Sequence, residues 1–269
     1  MGLGPLARPD LRARMSAVVK LGGAVLADAD AVAAVWAGVR SMGARAVVVH
    51  GGGPQQTDLA RRLGHEPRVV AGRRVTSDLD LDVALWTLRG ALNARLVGAG
   101  IAAGLRAVGV SGADGGLVTV RRRPPREIDG ALVDFGHVGD VIGVEPALVE
   151  ALWAAGFTPV VASVCADGAG ALYNVNADTV AAALAGALGA SLDLVTAAGG
   201  VRRHAADPSS TLRQLRGAEA DRGVLEGWIA GGMRPKLETA RAALDGGASR
   251  VRVCGPGDLG DPEAGTTVV

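Results

Sequence analysis

Ala46-Val47-Val48-Val49-His50-Gly51-Gly52-Gly53-Pro54 is the stretch that decides the fold. Its short, valine-rich run lacks the length of a helix and reads as a strand buried on both faces. Three glycines and a proline stop the strand, and a helix follows over about 55–63. The same pattern occurs upstream: Ala17-Val18-Val19-Lys20-Leu21 is a buried strand, Gly22-Gly23 a turn, and residues 29–42 a helix. Strand, helix, strand, helix in this order predicts a parallel sheet with helices on both faces.

Downstream, residues 64–75 read as extended. A long helical pattern over 78–104 is interrupted near Gly90 and Gly98–Gly100, and 106–110 returns to strand. Residues 117–144 alternate like antiparallel hairpins around a loop at Pro124-Pro125, followed by a helix at 146–155 and a strand at 158–164. Past Tyr173 the theme resumes with a helix at 178–188, a strand at 192–196, helices at 219–228 and 233–244, and a strand at 250–254. The expected fold class is α/β, a three-layer αβα sandwich with a mainly parallel central sheet shared by two lobes. The expected divisions are an N-terminal arm, 1–15, an N-terminal lobe, 16–174, and a C-terminal lobe, 175–269.

Composition narrows the function classes. Of 269 residues 49% are hydrophobic but only 3% aromatic, so the core must be built from Ala, Val and Leu. A net charge of +1 argues against nucleic-acid binding through a broad basic face. The one basic run, Arg121-Arg122-Arg123 with Arg126, sits beside two prolines and reads as a solvated loop. No run of about 18 apolar residues predicts a membrane span. Cys165 and Cys254 are too few for a disulfide framework and suit a reduced, cytoplasmic setting.

The basic residues divide into 26 Arg and 2 Lys. Lys20 stands at the first glycine turn, and Lys236 one turn into a helix opened by Gly231-Gly232-Met233-Arg234-Pro235. A surviving lysine in so arginine-rich a chain suggests a need for a compact ammonium on a flexible stem, although two leftover surface lysines would look the same. Two glycine loops at the carboxyl ends of parallel strands face one crevice, and their N–H groups suit an anion. Neither the Walker loop G-x-x-x-x-G-K-[ST] nor the dinucleotide fingerprint G-x-G-x-x-G occurs. Asn174-Val175-Asn176-Ala177-Asp178 leads into an Ala-rich helix. It reads as an N-cap, with Asp178 also able to orient lysines or hold Mg²⁺.

Seven segments in order resemble the amino acid kinase family, over about residues 18–266. They are Lys20-Leu21-Gly22-Gly23, Val49 to Pro54, Gly72-Arg73-Arg74-Val75-Thr76, Val110 to Gly116, Gly136-His137-Val138-Gly139, Tyr173 to Asp178, and Gly231 to Lys236. The closest likeness is to the branch that phosphorylates N-acetylglutamate in arginine synthesis. The resemblance implies ATP and Mg²⁺ as cofactors and transfer of the γ-phosphoryl group to a side-chain carboxylate. It gives Lys20 and Lys236 the task of stabilising the transferring group and Asp178 that of orienting both. Gly52, Gly53, Arg74 and Asn174 are implied substrate contacts, with Arg74 clamping the α-carboxylate. Gly23, Gly200, Gly231 and Gly232 are implied phosphate or ATP contacts. His50 and His137 are expected to be structural, because carboxylate attack needs no general base.

Two departures stand out. The family's Thr-Asp-x-x-Gly segment reads Thr196-Ala197-Ala198-Gly199-Gly200, and the tail 255–263 lacks the family's helix. The short arm before Lys20 implies a homodimer without arginine feedback. Partners other than a small acidic substrate, nucleic acid and membrane included, are not expected. A carrier-linked aminoadipate or glutamate acceptor is the first alternative and would call for a basic cleft mouth. A catalytically silent regulatory paralogue is the second.

Overall fold

The computed structural model describes residues 16–43 and 45–269. The expected arm, 1–15, lies outside the described residues. Eight strands form the central sheet, in the spatial order Gln214–Leu215, Thr266–Val268, Arg250–Cys254, Ser191–Val195, Ser16–Leu21, Arg45–His50, Thr158–Ala162, Ala107–Ser111. The six from Arg250–Cys254 to Ala107–Ser111 run parallel. Thr266–Val268 reverses against Arg250–Cys254 and pairs parallel with Gln214–Leu215. Ser16–Leu21 lies on Ser191–Val195 with Lys20 opposite Leu194, so one sheet runs through both halves of the chain.

The pleat sorts each strand's side chains between two cores. Val18, Val47 and Val49 pack with Val180 and Leu184 of the helix Ala177–Leu188 and with Leu237 and Ala240 of the helix Met233–Asp245. Val19 and Val48 turn the other way, onto Val35 and Trp36 of the helix Ala29–Ser41 and Leu96 of the helix Asn93–Ala102. Helix layers on both faces complete the αβα sandwich. Its near-continuous apolar strands follow from burial on two sides.

Four elements differ from the sequence expectation. Residues 78–102 are not interrupted: the helix Asp78–Ala84 passes through a π-helical segment, Leu85–Leu92, into Asn93–Ala102. Gly100 serves close packing there, since a Cβ would lie 2.8 Å from the Ala107 Cβ and 3.1 Å from the Trp36 ring. The expected strand 158–164 divides at Ser163. Thr158–Ala162 stays in the central sheet, and Val164–Ala166 enters a second, four-stranded sheet with Leu172–Asn174, Val118–Arg122 and Gly139–Val144. The division is stabilised by the Ser163 N–H donating to the His50 carbonyl, while the Val175 N–H donates to the Ser163 carbonyl. The edge strands Gln214–Leu215 and Thr266–Val268 are too short to show a period in sequence.

Candidate active site

Lys20 sits on the face of its strand that looks toward the start of the helix Ala177–Leu188. That start is fixed locally, because the Asn176 side chain accepts a hydrogen bond of 2.8 Å from the Asp178 N–H. Asp178 is thereby presented to Lys20, whose Nζ lies 2.6 Å from Asp178 Oδ1. Lys236, in the first turn of Met233–Asp245, brings its Nζ to 3.7 Å from Asp178 Oδ2. One buried carboxylate thus stands between two ammonium groups. Burial and the neighbouring Lys236 push the Lys20 pKa down, against the pull of Asp178. Burial alone would raise the Asp178 carboxyl, but Lys20 and Lys236 hold it below the ordinary carboxylate range. Two cations against one anion leave a net positive site that an incoming anion would neutralise.

Lys20, Gly23, Gly52, Gly53, Arg74 and Asn174 all line one cleft of about 710 Å³. The two glycine loops touch within it: a Cβ on Gly23 would lie 2.7 Å from Pro54 Cδ, and Gln55 Nε2 donates to the Gly23 carbonyl at 3.2 Å. A side chain at Gly52 would run into Leu88 and Leu92, so only glycine lets the long helix lie against this loop. Gly53 opens the helix Gly53–Arg62 and leaves its N–H in the unpaired first turn.

Arg74 follows a tight hairpin, Val69–Val70 with Arg73–Arg74, whose turn residues Ala71 and Gly72 have φ of 47° and 72°. Its Nη2 donates to Thr57 Oγ1 at 2.5 Å and to the Gly53 carbonyl at 3.3 Å, and its Nη1 lies 3.6 Å from Asp80 Oδ1. Burial lowers the Arg74 pKa and Asp80 opposes that shift. Asn174 Nδ2 lies 3.4 Å from Thr76 Oγ1, on the wall made by the second sheet. Gly200, Gly231 and Gly232 do not line this cleft. Gly200 is buried against Thr211 and Thr266, while Gly231 and Gly232 are exposed before Met233.

Sequence reasoning missed Asp80, whose Oδ1 lies 3.6 Å from Arg74 Nη1 and 3.1 Å from His65 Nε2. Its signal was present as Ser77-x-x-Asp80, a reciprocal capping box closed by the Asp80 N–H on Ser77 Oγ and by Ser77 N–H on Asp80 Oδ2. Ser163 also lines the cleft with no sequence signal of its own, and Arg123, read in sequence as part of a solvated loop, instead follows the strand Val118–Arg122 and lines the cleft, held 2.6 Å from Asp140. A larger groove of about 1070 Å³ between Ala29–Ser41 and Asn93–Ala102 is lined mainly by small and apolar side chains and contains neither lysine, whereas Lys20 lines the smaller cleft. Among the described residues no three His, Cys, Asp or Glu side chains gather as a metal site.

The sequence profile of the amino acid kinase family matches residues 15–255. The chain belongs to the amino acid kinase family. Its relatives include the acetylglutamate kinase of Anaeromyxobacter sp. strain K, 45% identical over 90% of this chain and 92% of that protein. The acetylglutamate kinase of Symbiobacterium thermophilum is 42% identical over 88% and 82% of the two chains. Among solved structures, smu.665 of Streptococcus mutans superposes with a TM-score of 0.76 at 24% identity, over 94% of this chain and 98% of that one. Carbamate kinase of Giardia lamblia reaches 0.68 at 14% identity, over 96% and 99%. These two likenesses establish the shared kinase fold. Family membership carries ATP use with it.

Proposed function

We propose that this kinase transfers the γ-phosphoryl group of ATP to the side-chain carboxylate of N-acetyl-L-glutamate, the acyl-phosphate-forming step of arginine synthesis. The observation that carries the reading is the carboxylate-bridged lysine pair beside two glycine loops, in a chain 42–46% identical to acetylglutamate kinases. A carboxylate oxygen of the acceptor attacks the γ-phosphorus. The new O–P bond forms as the bond to the β-phosphate oxygen breaks, and ADP leaves. No proton moves, which is why His50 and His137 have no acid–base task.

Lys20 and Lys236 stabilise the charge on the transferring group from opposite sides, and Asp178 holds both ammonium groups in place. Gly52 and Gly53 present N–H groups to the reacting carboxylate. Arg74, pre-oriented by Asp80 and Thr57, takes the α-carboxylate as a bidentate fork, and Asn174 adds a further contact. Gly23 faces the phosphoryl group. Gly200, Gly231 and Gly232 belong to the nucleotide end, in the segment 175–269, and the acceptor is held by 16–174. Mg²⁺ would enter with the nucleotide and offset the charge of its phosphates. A cytoplasmic homodimer is the proposed form; among the described residues no helix is long and apolar enough to cross a membrane.

The carrier-linked alternative calls for a basic cleft mouth. Arg73, Arg74 and Arg123 do line the cleft. Arg123, however, pairs with Asp140 at 2.6 Å and Arg122 with Asp134 at 2.8 Å, which favours the small free acceptor. An ATP-dependent hydroxamate assay with N-acetylglutamate, aminoadipate and glutamate derivatives tests the proposal. Acyl phosphate from N-acetylglutamate supports it, and none from any acceptor sinks it. Lys236→Arg should lower kcat about a hundredfold without changing the unfolding midpoint, since a planar fork cannot replace the point charge. An unchanged kcat would remove Lys236 from the mechanism.

A further inference from the structure

His50 ends the strand Arg45–His50, wholly buried, and has no task in phosphoryl transfer. Its ring nitrogens nevertheless have two specific partners. Nδ1 lies 2.9 Å from the Gly51 carbonyl oxygen, and Nε2 lies 3.2 Å from Asn93 Nδ2. The Asn93 amide is itself oriented, because Nδ2 donates to the Val160 carbonyl at 2.9 Å and to the Val110 carbonyl at 3.3 Å. A carbonyl oxygen can only accept, so that atom of Asn93 must be the nitrogen. An amide nitrogen cannot accept, and its two hydrogens are shared among Val160, Val110 and Nε2, so Nε2 carries no proton. The ring proton then sits on Nδ1 and is donated to Gly51. The other tautomer would set donor against donor at Asn93 and acceptor against acceptor at Gly51.

The peptide joining Gly51 to Gly52 is trans, so its N–H points opposite to its C=O. Drawing the Gly51 carbonyl back toward His50 turns the Gly52 N–H away from His50, and Gly51, Gly52 and Gly53 all line the cleft. Among the described residues, no backbone or side-chain acceptor takes that N–H. The long helix is shaped to the same end. Its π-helical segment Leu85–Leu92 immediately precedes Asn93, and Leu88 and Leu92 of that segment close on Gly52. Gly109 leaves room for the Asn93 amide, since a Cβ there would run into Asn93 Oδ1.

We infer that Asn93 and His50 are positioning residues: Asn93 selects the Nδ1–H tautomer of His50, and His50 in turn aims the Gly52 N–H at the reacting carboxylate of the acceptor. The inference rests on the reading above that Gly52 contacts the acceptor. Burial pushes the His50 pKa down to about 4, which keeps the ring neutral, as the relay requires.

Histidine-selective ¹⁵N NMR of the whole protein, with His50→Asn to assign the resonance, reads the tautomer directly. A protonated Nδ1 at neutral pH is expected, and a protonated Nε2 overturns the relay. Kinetics supply the second arm. In His50→Asn the amide nitrogen stands where Nδ1 stood, and KM for N-acetylglutamate should stay within about threefold. In His50→Gln the donor lies in the Nε2 direction, and that KM should rise about tenfold or more with KM for ATP unchanged. Equal KM values in the two variants, or parallel changes in both substrates, overturn the positioning role. Where His50→Gln fails to fold, the wild-type tautomer and the Gly52 amide shift decide. If that amide does not move when N-acetylglutamate is added, the Gly52 contact is overturned whichever tautomer His50 holds.

Discussion

Asp178 carries more of the site than either lysine, because it compensates both. Taking it away leaves two ammonium groups close together, one of them buried, whereas taking Lys20 away leaves Asp178 its contact with Lys236. Removing one partner of a buried pair costs about 3–5 kcal/mol. Asp178→Asn should therefore lower stability by about 3 kcal/mol, and Lys20→Met, which also relieves a desolvated charge, by clearly less. Equal losses in chemical denaturation would contradict the asymmetry. The pH dependence has a definite sign. The folded-state pKa of Asp178 lies below its unfolded value, so its contribution is present above the unfolded pKa and disappears as pH falls through the folded one. Wild-type stability should thus fall below about pH 4 more steeply than that of Asp178→Asn, read from unfolding midpoints against pH. Of these residues Lys20, Lys236 and Asp178 could be singled out in sequence, by rarity and by capping position. Asp80 and Asn93 could not be assigned roles there, because their partners Arg74 and His50 are brought to them only by packing.

The helix running from Asp78 to Ala102 shows how an element can be misjudged when its glycines are treated as breakers. Gly98 and Gly100 occupy regular helix, and Gly100 allows the crossing with Trp36 that brings Leu96 and Asn93 down on the sheet. Gly100→Val should cost about 1–3 kcal/mol by overpacking against Trp36 and Ala107. It should also weaken N-acetylglutamate binding, because the same helix backs the Gly52 loop. A variant as stable as wild type in urea would show that the crossing tolerates the added volume. The glycine clusters after the strands Ser16–Leu21 and Arg45–His50 behave differently, since they lie in the cleft and touch one another. Local sequence distinguishes the two uses only by context: after a β-branched run a glycine cluster is a loop, and within a helical period it is a packing site.

Across the whole molecule the C-terminal tail is organised by one buried ion pair rather than by a helix. Arg252, on a central strand, donates from Nε to Asp193 Oδ1 at 2.7 Å, and its Nη1 reaches the carbonyls of Asp258, Asp261 and Ala264. The tail is thus pinned beside that strand, with Leu259 packed in the core with Val35 and Trp36, and returns as Thr266–Val268. Arg252→Met should cost about 3–5 kcal/mol because it strands a buried carboxylate. Adding Asp193→Leu should restore part of that stability, while the tail carbonyls remain unpaired. A double variant no better than Arg252→Met in chemical denaturation would make the tail contacts, and not the carboxylate, the dominant loss.

The apolar runs, their glycine punctuation and the order of elements were legible in the sequence, because strand and helix periods and loop chemistry are local properties. So were the two lysines and the helix-capping Asp178, whose residue types are unusual where they stand. The tertiary structure alone decided that one carboxylate bridges both lysines, that Asp80 lies beside Arg74, that Asn93 reaches His50, and that Arg252 pins the tail. Each of these depends on side chains distant in sequence meeting at a few ångströms. Such meetings are set by which faces the pleat and the helix crossings turn toward one another, which no local window of the chain contains.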